Sequence, residues 1–533
     1  MSAQAGVTVN INEIKKRKNR TIFNDFSAAE LIFAIVGPVG SGTSFVAKAL
    51  ETLVRNQLSD KETVQVVQIK ASKIIEKHAN KEDLEATVLD KLKRATLFQD
   101  VGDEIRREDP SALAVQMIAE IKNQRELLEK QGVTYLNENE RPKKVFIIDS
   151  LKHPEEAALL RGVYRESFCL IGVVCEKEKR EKRLKEEKCP DSSRNEVAVF
   201  MKRDENEGVP HGQKVAATFH LSDFFVDNTE DRETADRESN PNWDVNEKLG
   251  RLIDILQAKK VVRPTPSEAG MFYAHGAQHK SACLSRQVGA SLTDRKGNLI
   301  ATGTNEVPRA GGGVYGGNSE KFDFDDNSEA DHRCFATNKY CSNTKNQAEI
   351  IEEVIQAIPE LKNSNSKDIG DNLKKTRLGQ LIEFSRAVHA EMDALLSAGR
   401  QGKSTVGSKL FVTTFPCHYC ARHIVTAGIE EVQYIEPYPK SKALTLHQDA
   451  IGQIASEWIS PFDPKIGVKP KKVLFRPFTG VAPRLYQRAF VKDRELKDGK
   501  GDFKVGERLW SSDLLKEGYT SIENALLKEL QNG

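Results

Sequence analysis

The sequence predicts an α/β protein built from two large domains, and three observations carry that expectation. At 533 residues the chain exceeds the roughly 250–300 residues at which one hydrophobic core stops growing. In the first half, uninterrupted apolar runs alternate with helical stretches, as in a doubly wound parallel sheet. In the second half a hairpin is followed by helix, strand, helix and strand, an α/β/α order.

Residues 1 to 25 are polar and basic, and LIFAIVG, Leu31 to Gly37, then reads as a buried parallel strand ending in a Gly-rich turn. A helix is predicted through Phe45 to Leu53, and VFIID (Val145 to Asp149) and FCLIGVVC (Phe168 to Cys175) continue the sheet. EKEKREKRLKEEK, with mixed signs, reads as a solvated helix whose arginines could also close over a phosphate. Val245, Leu249, Leu252, Ile253 and Leu256 recur at helical spacing until RPTPS breaks the pattern at Arg263. The boundary is placed there, giving domains over 1–262 and 263–533.

The turn Gly37-Pro-Val-Gly40-Ser-Gly42-Thr43-Ser44 lies between a strand and a helix, the context of a phosphate-binding loop G-x-x-x-x-G-K-[ST]. Thr43 stands at the lysine position, so the ammonium that reaches the β- and γ-phosphates is missing. Ser44 keeps a hydroxyl that could hold Mg²⁺, with Asp149 as that ion's acidic partner. Backbone amides at a helix N-terminus bind anions without a lysine, which favours nucleotide binding over a merely structural turn. Phosphoryl transfer is disfavoured, because electrostatic stabilisation supplies most of its catalysis, and Lys48 lies a full turn too far along.

The second half opens with a predicted helix from Ala269 to Arg286 and a hairpin over VGASLTDRKGNLIATG. An insertion follows from about 311 to 378, Gly-rich, then acidic (KFDFDDNSEADH), then helical (AEIIEEVIQAI), suited to a lid or an oligomer element. Beyond it come a helix around His389 to Ala398, the strand KLFVTTF, a helix from His418 to Ala427 and the strand EVQYIE.

Composition narrows the function. Lys+Arg 80 against Asp+Glu 78 leaves a net charge of +2, without the cation excess of a dedicated nucleic-acid coat. No run approaches the roughly 20 apolar residues of a membrane span, and no apolar segment follows the basic cluster near the start. The 8 cysteines are too sparse for a disulfide scaffold, and two stand as Cys417-His-Tyr-Cys420, a spacing of metal or redox chemistry in a reducing compartment. These features place the chain in the cytoplasm.

His389-Ala-Glu391 upstream of Pro416-Cys417-His-Tyr-Cys420 carries the chemistry. Two thiols three positions apart on the first turn of a helix can grip one tetrahedral Zn²⁺, with His389 as third ligand and the fourth position left to water. Glu391, two residues beyond the histidine, is then placed to move protons rather than to bind metal. A lone Cys-x-x-Cys could be a redox pair or half of a structural zinc site, and a lone His-x-Glu is common on exposed helices. Jointly, and after a strand, they match the H-x-E…P-C-x-x-C pattern of zinc-dependent nucleobase deaminases. His418 and His423 read as ordinary helix residues.

KLFVTTFPCHYCARHIVTAGIEEVQYIEPYPKS and RQVGASLTDRKGNLIATGTNEVPRAGGG together resemble the deoxycytidylate deaminase branch of the cytidine deaminase superfamily. The resemblance implies that Asn305 contacts the sugar of a bound nucleotide, its alternative being a turn residue, and that the protein forms a homo-oligomer. It also raises an accessory zinc, for which Cys283 falls at one ligand position and His332, Cys334 and Cys341 are the remaining candidates. With a degenerate P-loop domain in front, nearly the whole chain resembles the bacterial antiphage deoxycytidine nucleotide deaminases of the AvcD type. That likeness implies conversion of dCTP and dCMP to dUTP and dUMP in phage defence, restrained by a small RNA. A polynucleotide deaminase acting on RNA or single-stranded DNA, and a nucleotide- or RNA-sensing module with an inert deaminase half, are the alternatives.

Overall fold

A computed structural model describes residues 30–58, 64–88, 90–130, 143–188, 193–207, 209–234, 236–257, 260–316, 332–362, 366–438, 440–464, 471–492, 496–503, 520–521, 523–524 and 527. The chain divides into two compact units, residues 1–263 with 479–533, and residues 264–478. Each has its own six-stranded α/β sheet, parallel for the most part.

The first sheet is built on β1 (Glu30–Val36), an apolar strand buried along its whole length, followed by α1 (Thr43–Leu58) and β2 (Val64–Lys70). Then come α2 (Ala112–Lys130), β3 (Lys143–Asp149), α3 (Pro154–Tyr164), β4 (Phe168–Val174), α4 (Lys177–Arg183), α5 (Arg194–Glu205), β5 (Phe224–Asp227) and α6 (Val245–Gln257). β1 lies between β3 and β4, parallel to both, which sets the turn after β1 at the carboxyl edge of the sheet. Ligands of open α/β sheets bind at that edge. Two apolar layers cover the faces, one centred on Phe33, Ile35 and Leu252, the other on Ile32, Phe146 and Ile118. The solvated-helix expectation for residues 176–188 holds on one side only, since Arg180 is buried and its guanidinium Nη2 pairs with Glu205 at 3.0 Å.

The second unit starts with α7 (Pro266–Gln278), capped by Thr265, whose hydroxyl accepts from the Glu268 amide. The sequence predicts this helix through Arg286, but it ends eight residues earlier, at Gln278. The following segment is instead tied to the sheet, Ser281 Oγ donating to Asn305 O at 2.7 Å and Gln287 Nε2 to Ser281 O at 2.6 Å. The hairpin β6 (Gly289–Thr293) and β7 (Leu299–Thr304) follows. Within the insertion, the acidic stretch 321–331 lies outside the described residues, and α8 (Ser342–Ala357) and α9 (Ser366–Lys374) form its helical part. Then come α10 (Ala390–Arg400), β8 (Lys409–Thr414), α11 (His418–Thr426), β9 (Glu431–Glu436), β10 (Ile451–Gly452) and β11 (Val473–Pro477). The sheet order is β10-β11-β9-β8-β6-β7. α10 packs so tightly on β7 that a Cβ at Gly303 would stand 2.2 Å from Ala390 O, so only glycine fits there.

One boundary differs from the sequence expectation, which assigned everything after 262 to the second domain. From Thr479 the chain belongs to the first unit, where β12 (Gly480–Val481) pairs antiparallel with β5 and α12 (Pro483–Phe490) buries Leu485 in the first core. The physical reason is the open edge of β5, whose unpaired backbone groups a returning segment satisfies. Glu523, fully buried, joins the same unit by accepting from Arg125 Nη1 at 2.8 Å and Tyr164 Oη at 2.7 Å.

Candidate active site

His389 is the residue immediately before α10, held extended at φ −74° and ψ 153°. It is positioned by a two-residue bridge, in which the Val388 amide donates to Glu306 O at 2.9 Å and the Glu306 amide to Val388 O at 3.2 Å. Asp393, one turn along α10, accepts from the Thr304 amide at 3.1 Å and fastens the helix to the end of β7. Cys417 caps α11 after β8, and Cys420 follows on the helix's first turn. Spacing alone makes the two thiols converge; packing of α10 and β8 on one sheet brings the imidazole to them.

His389 Nδ1 lies 3.3 Å from Cys417 Sγ and 3.4 Å from Cys420 Sγ. Among the described residues these three are the one group of histidine, cysteine and carboxylate side chains whose ligand atoms, all within 4.8 Å of one another, could hold a metal ion. Tetrahedral zinc with Zn–S near 2.3 Å and Zn–N near 2.0 Å separates its ligand atoms by about 3.5 Å, so the donor set fits the ion in chemistry and spacing. His418 and His423 are not part of it.

The electrostatics suit a cation at these three groups. Hydrogen bonding from Cys420 and His389 holds the Cys417 thiol down to about 4, against the cost of burial. Its thiolate pushes His389 up to about 9 and, together with burial, raises Cys420 well above an ordinary thiol. Glu391 is fully buried, and burial, reinforced by the Cys417 charge, pushes its carboxyl up to about 7. Such a group can hold or release a proton near neutrality.

His389, Cys417 and Glu391 line a cavity of about 360 Å³, whose wall also includes Asn305, Arg286 and Lys440. Arg286 and Lys440 are exposed at its rim, Arg286 paired with Glu436 at 3.1 Å and lying over the Tyr438 ring. Neither rim cation was singled out from sequence. Arg286 opens the hairpin block and Lys440 follows a strand, and only folding shows that they share a mouth.

Asn305 reaches the cavity wall, but its side-chain amide is engaged with backbone. Oδ1 accepts from the Val288 amide at 2.6 Å and Nδ2 donates to Arg286 O at 2.6 Å, so Asn305 holds the segment that carries Arg286. Asn305→Ala is expected to lower unfolding free energy by about 1–3 kcal/mol in urea titration, the cost of leaving buried partners unsatisfied. A change below about 0.3 kcal/mol would refute this positioning role.

Cys283, Cys334 and Cys341 line a second, smaller pocket beside the first, with Cys341 Sγ 3.2 Å from Ser285 Oγ. They do not form a metal-ligating group among the described residues. In the other unit, Gly37, Gly40 and Gly42 do lie in one turn between β1 and α1, Gly40 and Gly42 at φ +83° and +84°, and Thr43 and Ser44 open α1. Ser44 Oγ donates to Asp149 Oδ2 at 2.6 Å, while Lys48 is spent on Glu51 at 2.9 Å.

Residues 265–436 match the family described as the cytidine and deoxycytidylate deaminase zinc-binding region. Deoxycytidylate deaminase of Enterobacteria phage T4 is 30% identical over 175 residues, 32% of this chain and 77% of that protein. ComE operon protein 2 of Bacillus subtilis (strain 168) is 43% identical over 54 residues, 10% of this chain and 29% of that protein. Among solved structures, the dCMP deaminase of cyanophage S-TIM5 in apo form aligns with TM-score 0.21 and 18% identity, over 41% of this chain and all of that one.

Proposed function

Because the chain belongs, through its second unit, to the cytidine and deoxycytidylate deaminase family, we propose that this zinc-dependent deaminase acts on free deoxycytidine nucleotides, converting dCTP and dCMP to dUTP and dUMP. The observation that carries the reading is a buried carboxyl beside a His/Cys/Cys ligand set in a cavity whose wall also carries two exposed cations. Arg286 and Lys440 suit the phosphates of a nucleotide better than a neutral nucleoside.

His389, Cys417 and Cys420 would hold the zinc, which would supply Lewis-acid activation of water. Glu391 takes a proton from the water that attacks C4 of cytosine and delivers it to N3. It then takes the second proton from the hydroxyl now on C4 and passes it to the amino group, so that the C4–N bond breaks, C4=O forms, ammonia leaves and uracil remains. Burial of Glu391 excludes bulk solvent from that exchange. The segment tied by Asn305 keeps Arg286 at the rim, where the sugar and phosphates pass.

The glycine loop of the first unit is read as a nucleotide-binding P-loop without kinase activity, with Ser44 and Asp149 as holders of Mg²⁺. The whole is read as a cytoplasmic antiphage enzyme of the AvcD type that depletes dCTP, assembles as a homo-oligomer and is restrained by a small RNA. The near-balanced charge supports free nucleotides over a polynucleotide substrate. No helix among the described residues is long and apolar enough to cross a membrane.

Substrate profiling tests the proposal. Zinc-loaded protein is expected to release ammonia from dCTP and dCMP and to form the matching uracil nucleotides, while a single-stranded deoxycytidine oligonucleotide stays intact. Turnover of the oligonucleotide with inert dCTP and dCMP would overturn it.

A further inference from the structure

The glycine loop is already engaged with an anion, and the anion belongs to the protein. Val39, in the middle of the loop, donates its backbone N–H to Asp204 Oδ2 at 2.8 Å. Asp204 lies on the last turn of α5, 165 residues away in sequence, and is 1% exposed. Its other oxygen accepts from Lys152 Nζ at 2.7 Å. Lys152 itself stands three residues past Asp149, on the segment leading from β3 into α3, at the carboxyl edge of the sheet.

The same loop is flanked by polar atoms that this arrangement leaves unsatisfied. Arg180, buried against the loop with Nη1 3.5 Å from Val39 O, has no hydrogen-bond partner for its Nε among the described residues. Ser41 Oγ, fully buried inside the turn, likewise has none among the described residues. Buried donors without acceptors are rare in folded proteins, and a water or an ion beside them is one physical way to satisfy them. A carboxylate on a loop amide, neutralised by a lysine, together with an unspent guanidinium N–H, is the set of contacts that a phosphate group makes.

On the reading of this loop as a nucleotide site, we infer that Asp204 is an internal stand-in for phosphate, and that a nucleoside polyphosphate binds by displacing it and taking Lys152 as its cation. Lys152 thereby supplies, from the β3–α3 segment, the positive charge that Thr43 withholds. The loop is closed to weakly charged ligands, because an incoming group must outcompete a buried ion pair. A Mg²⁺-bound triphosphate carries enough charge to do so, and Ser44 and Asp149 stand ready for its metal.

Calorimetric titration of the full-length, zinc-loaded protein with MgATP, and separately with Mg²⁺ and inorganic triphosphate, tests this. Asp204→Asn keeps the shape and removes the charge, and is expected to tighten both probes at least about tenfold. Adding Lys152→Gln is expected to cancel the gain. Lys152→Gln alone, on a side chain that is one quarter exposed, is expected to weaken binding and gives a readout should Asp204→Asn fail to fold. Equal binding by wild type and Asp204→Asn, lost in Ser44→Ala, would overturn the stand-in while leaving the loop a nucleotide site. Absence of binding by every variant would overturn the loop reading itself. Tightening for MgATP without any for triphosphate would place the gain away from the phosphates and refute the displacement.

Discussion

Glu391→Gln is expected to lower ammonia release from dCMP by about 10⁴-fold while zinc content stays at one per chain. The substitution is nearly isosteric, and it replaces a carboxyl that burial already pushes toward its neutral form, up to about 7. Stability therefore changes little, and the loss falls on proton transfer. An amide can neither accept a proton from the attacking water nor hand one to N3 or to the leaving amino group. Because those transfers share one tetrahedral course, both halves of the reaction fail together. Rate measurement beside metal analysis and thermal unfolding separates chemistry from structure. A variant that kept more than about a tenth of wild-type turnover would strip Glu391 of its role.

Cys420→Ser is expected to empty the site of zinc and bring deamination to background. A serine hydroxyl stays protonated near neutral pH where a coordinating thiol gives up its proton, and two remaining ligands hold zinc poorly. The wild-type site also makes a prediction about pH. With no metal, Cys417 is held down to about 4 and is already a thiolate at pH 7. His389, pushed up to about 9, and Cys420, raised well above an ordinary thiol, both still carry protons there. Zinc must expel those two protons, so its affinity falls as pH falls, by about 100-fold per pH unit below the His389 value. Between pH 8 and pH 6 the zinc Kd is thus expected to rise about 10⁴-fold in competition with a chelator whose own proton binding is accounted for. A flat profile would show that the three groups do not bind zinc as a set.

The site divides sharply between what local sequence carries and what it does not. Cys417 and Cys420 were legible because a helix cap and its first turn bring positions three apart to one side. Glu391 was legible because it stands on the same turn as His389, and EVQYIE maps onto β9, residue for residue. The rim was not. Arg286 was hidden by an expected helix that ends instead at Gln278, where Ser281 and Gln287 are drawn into hydrogen bonds with the sheet and with each other. The exchange between Glu306 and Val388 that sets His389 has no sequence signature, since any residue can make it through its backbone. Asn305 was recognised as a site residue by resemblance, yet its partners, the Val288 amide and the Arg286 carbonyl, emerged only with the fold.

The amino-acid sequence alone determined the α/β class, the ligand types at His389, Cys417 and Cys420, the acid at Glu391 and the glycine turn that lacks a lysine. All of these are local: they follow from strand and helix periodicity and from the chemistry of a few neighbouring side chains. Tertiary structure decided which distant groups meet them, bringing an imidazole to two thiols 28 and 31 residues away, Asp204 to Val39 across 165, and the segment after Thr479 back to the open edge of β5. Those encounters depend on the packing of whole elements, where an unpaired strand edge or a buried charge accepts whichever partner satisfies it, and no spacing along the chain encodes that choice.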